Sequence, residues 1–576
     1  MKRREGAMHV VTTRRQYKDK TYESHLLRRS FREDGKVKNE TLANLSHLPG
    51  GTIELIKGSL AGKNYLVAGD SVSVARSLPH GHVAAVGAMA RKLKLPELLG
   101  PPGPERDIIL GLIIARVCNP ASKLATTQWW NDTTLGVDLD LVNLHTDGVY
   151  DAMDWLNARQ PAIEKSLARR HLQDDGYGLY DLSSSWMEGA NCPLSARGHS
   201  RDAKQGKLQI EYGLLTDPEG RPVSIEVFSG NTGDPTAFVS AVDKVRKAFK
   251  LENLVMVGDR GMITSARIDE MRKYTTLQLV SSLKAPQIRS LLEKEAFQLS
   301  LFDETNLVEI SHPDYPGERL VVCRNQALAT KRQLTRESML QATEAKLQKV
   351  QASVKAGKLV GVDKIGIAIG KVINSHKMAK HFTTTITDKR LKFERNQQSI
   401  DAEAATDGLY VVRTSVSKDR LTSNQVVETY KSLANVERNF KTIKVDDLDL
   451  RPVRHWLEER VRAHVFICML AAYVVWHLRE AWAELTFKDE ERPMHDNPVV
   501  PKKRSKAADA KAANKMNEHG CAVRSFSGVL DHLATLTRNE IVVAGSATTS
   551  VVAIPTQEQR RAFELIGLKQ VPLTVM

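Results

Sequence analysis

The sequence predicts an α/β protein whose sheet-forming block is interrupted by an insertion and preceded by a helical region. Three observations lead there. Apolar residues recur at 3.6-residue spacing through residues 80–175, the period changes to two at 177, and strand and helix patterns return at 407 after a charged stretch. A chain of 576 residues has room for about two to four domains and a sizeable core.

In order along the chain, residues 1–79 mix short β-like stretches with basic turns, as in "HLPGGT" and "KNYLVAGDSVSV". Residues 80–175 hold four helical patterns, "HVAAVGAMARKLKL", "ERDIILGLIIARVCNP", "DGVYDAMDWLNARQ" and "PAIEKSLARRHL", a helical region that is a possible DNA-binding domain. "YGLYDLSSS" then reads as a strand, and "LQIEYGLLTDPEGRPVSIEVFSGN" as a hairpin turning at Asp217-Pro218-Glu219-Gly220. "DPTAFVSAVDKVRKAF" is a helix opened by Asp234 with proline at its first position. "LENLVMVGD" is the fourth strand, "TSARIDEMRKY" a helix and "LQLVSSL" the fifth strand, so residues 176–285 form the first half of a core.

Residues 286–404 interrupt that order with a long charged helix and the hairpin-like "HFTTTITDKRLKFERN", and read as an insertion domain. Residues 405–482 complete the core: "DGLYVVRTS" is a strand, "TSNQVVETYKSLANVERNFKTIK" a helix capped by Thr or Ser, and an apolar helix follows at 461–478. From 483 to 576 a basic linker leads to a small C-terminal segment.

Composition narrows the function. Apolar content of 41% and charged content of 26% suit a soluble globular protein, but the net charge is +15 and the pI about 9.4. Residues 1–40 hold twelve Lys/Arg against six Asp/Glu, and 501–515 hold six against one. Such a surplus suits a polyanion, whether DNA, RNA or a membrane surface. The five cysteines include no CxxC pair, so no zinc module or disulfide framework is signalled. The basic N-terminus lacks an apolar signal region, and "VFICMLAAYVVW" is too short for a membrane span. A soluble, cytoplasmic, nucleoid-associated protein is expected.

Three acids stand out. Asp181 lies on the first strand of the core and Asp259 at the end of the fourth. Aspartate is a poor strand residue and costly to bury, so a buried strand that delivers one into "DRG" needs a reason. On a continuous helix Tyr430, Leu433, Glu437 and Lys444 fall within about 60° of arc, with Lys441 just outside, beside an apolar face of Val436, Phe440 and Ile443. That geometry can bring Glu437 towards the two aspartates. Three converging carboxylates repel unless a divalent cation holds them, and Mg²⁺, for which Mn²⁺ can substitute, takes such hard oxygen ligands. Two ions about 3.5–4 Å apart activate a water or 3′-hydroxyl and stabilise the leaving oxygen of a phosphodiester. Tyr430, Lys441 and Lys444 would then face the DNA backbone, and Arg260 either contacts phosphate or pairs with an acid. Singly, each acid also fits ordinary turn or surface-helix chemistry.

Taken together these stretches resemble the DDE transposases of bacterial insertion sequences, which have an RNase H-like catalytic core. "YKSLANVERNFKTIK" carries Tyr430, Glu437 and Lys444 at the spacing of that family's Y-x2-R-x3-E-x6-K signature, with Leu433 in place of the arginine. "LYDLSSSW" resembles the motif of the first aspartate and "VGDRGM" that of the second. "GHSRDAKQGKLQIEYGLLTDPEGRPVSIEVFSGNTGDPTAF" resembles the segment between them, and "LRPVRHWLEERVRAHVFICMLA" the segment after the glutamate. The likeness covers roughly residues 175–480. It implies that Asp181, Asp259 and Glu437 are catalytic metal ligands. It further implies cleavage of double-stranded DNA at terminal inverted repeats, joining of the freed 3′-hydroxyl to target DNA, and a homodimer on DNA. A silent end-binding repressor is one alternative, against which the presence of all three acids and Lys444 argues. An RNase H-like nuclease or resolvase is another, for which the long helical region and insertion are superfluous.

Other signals carry less. "GSLAGKN" and "GIAIGKV" fall short of a phosphate-loop spacing. Trp129, Trp130 and Trp186 could stack on an unpaired base; for Trp129 and Trp130 core packing is the commoner role, whereas for Trp186, five residues after Asp181, the two roles are closely balanced. His455 and His464 read as structural or phosphate-facing, and Ser183 to Ser185 lack a base partner.

Overall fold

A computed structural model describes residues 7–17, 20–33, 36–63, 72–262, 278–302, 305–491, 497–500, 503–543 and 548–576. The helix expected at "TSARIDEMRKY" lies outside the described residues. The chain divides into two compact units, Met1–Ser77 with Asn539–Val551, and Leu78–Arg538 with Val552–Met576.

In the first unit the β-like stretches are longer than expected. Strands β1 (Ala7–Tyr17), β2 (Lys20–Glu33) and β3 (Lys36–Asn44) form an antiparallel meander, followed by a helix over Gly50–Leu60. Strand β4 (Val72–Pro79) pairs within a second three-stranded sheet with two late strands, Thr537–Val543 and Thr549–Val552.

The second unit is mixed α/β and centres on an eight-stranded mixed sheet. Its strands are β5 (Tyr177–Trp186), β6 (Gln209–Thr216), β7 (Pro222–Ser229), β8 (Val255–Gly258), β9 (Gln278–Ser282), β10 (Leu307–Ile310), β11 (Arg319–Arg324) and, after a hairpin of β12 (Phe382–Thr387) and β13 (Arg390–Arg395), β14 (Leu409–Thr414). The order is β10-β11-β14-β9-β8-β5-β6-β7. β5, β8 and β9 run parallel to one another, while β6 and β7 extend one side antiparallel, as the hairpin sequence predicted. β8 and all of β6 are buried, which is why "VMVG" and "QIEYGLLT" read as nearly continuous apolar runs.

Residues 286–404 divide in two. β10 and β11 join the main sheet through β14, whereas residues 326–404 gather around a separate core of Leu340, Leu347, Val354, Ile365, Ile369 and Phe382. Leu340, Leu347 and Val354, a seven-residue step, are the buried stripe of the helix Gln326–Lys355. The helices of residues 81–171 share their hydrophobic core with the sheet and with the helix Glu458–Ala481. That last helix is long and apolar enough to cross a membrane, but it lies buried against β7 and the helices Pro104–Cys118 and Thr146–His171. Residues after 505 also fold back: Leu536 carbonyl oxygen accepts from His80 and Gly81 N–H at 2.9 Å, beside the helix Gly81–Lys92.

Candidate active site

Asp181 and Asp259 lie side by side. β5 and β8 are parallel and adjacent in the sheet, with Tyr180 opposite Gly258 as their last paired residues, and each aspartate is the next residue on its strand. β8 ends there, since Asp259 turns away from the ladder into a tight turn closed by Met262 N–H on the Asp259 carbonyl at 3.0 Å. An added Cβ on Gly261 would stand 3.0 Å from Asp234 Oδ2, so this turn comes close to the start of the helix Asp234–Asp243.

The Asp181 carboxyl is pushed up to about 7, chiefly by burial and further by the charges of Asp259 and Glu437. Its own Leu182 N–H, donating to Oδ1 at 2.8 Å, and the Arg201 guanidinium oppose that rise. Asp259 and Glu437 are exposed. Among the described residues no group of three or more His, Cys, Asp or Glu is close enough together to hold a metal ion. The donor chemistry nevertheless suits a hard divalent cation: two neighbouring carboxylates, a third acid whose charge Asp181 feels, and in Asp181 a buried carboxyl with neighbouring negative charge that a cation would offset.

The helix bearing Glu437 is not continuous. It consists of Ser423–Lys431, a two-residue break, Ala434–Lys441, and a π-helical turn over Thr442–Asp446. Thr422 caps the first piece through a capping box with Gln425. That piece packs on β8, β9 and β14; the second packs on β5 and β6 through the buried Val436 and Phe440, whose ring meets Tyr212 edge-on at 5.8 Å. Tyr430 sits at the end of the first piece, where its hydroxyl donates to Asp259 Oδ1 at 3.3 Å and shares a 2.7 Å hydrogen bond with Ser282 Oγ. Burial pushes its phenol up to about 12.

Arg260, next to Asp259, and Lys441, one helical turn after Glu437, are exposed. Lys444 is not. The π turn takes more residues per turn than the continuous helix assumed from sequence, and it carries Lys444 inward. Its side chain is 9% exposed, with Nζ 2.7 Å from Asp202 Oδ1. Leu433 is buried at the break. Arg438, the nearest cation to Glu437 in sequence, turns towards Asn435 and lines a cavity of about 730 Å³ with Trp476, Arg479 and Phe526.

The acids and bases of residues 201–234 were not singled out from sequence. Arg201 Nη2 pairs with Asp234 Oδ1 at 2.5 Å, and its Nη1 lies 3.5 Å from Glu211 Oε2. Burial pushes the Glu211 carboxyl up to about 7, against the pull of Arg201. The available signal was Glu211 itself, since a charge inside a wholly buried strand requires a partner. Of the tryptophans, Trp130 is fully buried, while Trp186 is half-buried with Lys204 and Lys207 about 5.8 and 6.0 Å from its ring centre. Burial keeps His455 and His464 neutral, and Ser185 hydrogen-bonds Tyr212 at 2.9 Å.

Two family models match the chain. Residues 192–475 match the transposase DDE domain, a span that holds Asp259 and Glu437 and begins after Asp181. Residues 10–67 match the N-terminal domain of the IS1634 family of transposases. No curated protein matches the chain. The two matches together cover more than half of the sequence, and their agreement with two aspartates on neighbouring parallel strands of a mixed sheet is the basis for the assignment: the chain belongs to the DDE transposases of insertion sequences.

Proposed function

We propose that the protein cleaves phosphodiester bonds at the ends of an insertion sequence and joins the freed 3′-hydroxyl to target DNA. The observation that carries this reading is the register of β5 and β8, which sets Asp181 and Asp259 next to each other at one rim. Asp181, Asp259 and Glu437 would hold divalent metal, Mg²⁺ or Mn²⁺. When bound, the metal supplies activation of a water or 3′-hydroxyl and charge stabilisation at the leaving oxygen. The Tyr430 hydroxyl orients the Asp259 carboxylate, and Ser282 in turn holds the Tyr430 hydroxyl. Arg260 and Lys441, both exposed, contact the DNA backbone. The substrate is double-stranded DNA with terminal inverted repeats, and two copies of the chain hold two ends.

The test is cleavage of a plasmid carrying the gene's flanking DNA, with Mg²⁺ or Mn²⁺, beside Asp259→Asn. Cuts at the flanks that vanish in the variant while end binding persists are the expected result. Binding without cutting by both proteins would leave an end-binding repressor instead.

A further inference from the structure

Lys444, the last residue of the signature around Glu437, does not present its charge to solvent. Its Nζ lies 2.7 Å from Asp202 Oδ1, and Arg451 Nη1 lies 2.6 Å from the same oxygen. The Asp202 side chain is 1% exposed, and its Oδ2 accepts from Trp186 N–H at 3.3 Å. The loop that carries Asp202 is stitched to β5 a second time, where Arg201 N–H donates to Ser184 Oγ at 3.0 Å. The chain leaving Arg451 is bound to the same strand, with Val453 N–H on the Trp186 carbonyl at 3.1 Å. So one buried carboxylate joins the turn after the Glu437 helix, the segment that follows it, and the strand of Asp181.

We propose that Asp202 is a positioning residue of the active site, which holds Lys444 and Arg451 and thereby fixes Glu437 relative to Asp181. The inference rests on the transposase reading and assigns Lys444 to the interior of the protein, not to DNA. Without Asp202, the buried Lys444 and the partly buried Arg451 face each other with no anion between them, and the cost of leaving the Lys444 charge unpaired drives them apart. Lys444 is seven residues from Glu437, across the π turn and one helical turn, so its displacement is passed to the glutamate. A shift of about 1 Å in a catalytic group costs on the order of 100-fold in rate.

The experiment compares wild type with Asp202→Asn, Lys444→Met, their double variant and Lys444→Arg. End-DNA affinity is measured in EDTA across salt concentrations, cleavage across Mn²⁺ concentrations, and melting temperature for each protein. The proposal expects Asp202→Asn and Lys444→Met to bind DNA within about twofold of wild type with an unchanged salt slope. Both raise the half-saturating Mn²⁺ several-fold and slow cleavage roughly 100-fold. Lys444→Arg keeps most activity, and the double variant loses less melting temperature than the two single losses together. A phosphate contact would instead lower the salt slope of Lys444→Met by about 1 and leave Asp202→Asn at the wild-type Mn²⁺ requirement. That result overturns the proposal. If a single variant fails to fold, Lys444→Arg beside Asp202→Glu carries the same comparison. A wild type that binds but never cuts defeats the transposase activity, and the salt-slope and melting arms then still report where the Lys444 charge is used.

Discussion

Lys123 is a buried cation beside other cations. Its side chain is 4% exposed, and its Nζ lies 3.3 Å from His464 Nδ1. Among the described residues no carboxylate pairs with it. Burial, and next the charge of Arg116, push its ammonium down to about 7. The other titratable groups facing it are His455, His464 and Cys468. Burial holds both histidines neutral and raises the thiol, so Lys123 is the group in this cluster whose charge changes just above neutrality. The folded pKa lies below the unfolded value of 10.5, so between about 7 and 10.5 the unfolded chain binds the extra proton. Stability therefore rises with pH through that window, and the penalty is fully present at pH 7. Lys123→Met is expected to melt progressively higher than wild type as pH falls from 10 to 7. A melting difference that stays constant from pH 7 to pH 10 would show that Lys123 is not the source.

At the scale of elements, the helix bearing Glu437 is fixed by the β6–β7 turn. Asn439 Nδ2 donates to the Gly220 carbonyl at 2.6 Å and Asn435 Nδ2 to the Pro218 carbonyl at 3.0 Å. Gly220 has φ +91°, and an added Cβ would stand 2.8 Å from Asn435 Cβ. Gly220→Ala both strains the turn and pushes the helix away, so a loss of about 1–3 kcal/mol is expected, with cleavage reduced more than DNA binding. Chemical denaturation and a gel-shift titration check it; equal stability would mean that the helix moves freely against the turn. The turn itself was legible as Asp-Pro-Glu-Gly, but its grip on the helix was not, because contacts across 215 residues or more leave no local pattern. The break at Ser432 and Leu433 and the π turn were equally hidden, since the apolar positions fit one continuous helix. That is why Lys444 fell on the DNA-facing arc in sequence and inside the protein in structure. β10 and β11 fell inside the stretch read as an insertion because the charged helix and hairpin that follow them dominate residues 286–404; only pairing with β14 shows that they extend the sheet. Asp181, inside β5, and Asp259, at the end of β8, stood out because an aspartate in or ending a strand violates strand preference in a way that needs no tertiary information.

For the whole molecule, the net charge of +15 sets how DNA is held, and the surplus divides into cations already paired inside and cations offered outside. Lys444, Arg451, Arg201 and Arg413 are engaged with buried or half-buried carboxylates and contribute little to a polyanion. Arg260 stands exposed next to Asp259 and Lys441 exposed one helical turn after Glu437, and Lys204 and Lys207 flank Trp186. If end DNA runs across these side chains, its phosphates release counterions there, and affinity falls steeply with salt. About six phosphate contacts give a slope of log affinity against log salt near −5, so binding in EDTA should weaken roughly 1,000-fold between 50 and 200 mM salt. Replacing Lys441 and Arg260 together by alanine should reduce that slope by about 2 while leaving the fold intact. Measuring in EDTA separates backbone contact from metal-dependent chemistry at the neighbouring aspartates. A double variant with the wild-type slope would mean that the duplex is held by other basic surfaces, such as the surplus in residues 1–40, and reaches the aspartates without touching these two side chains.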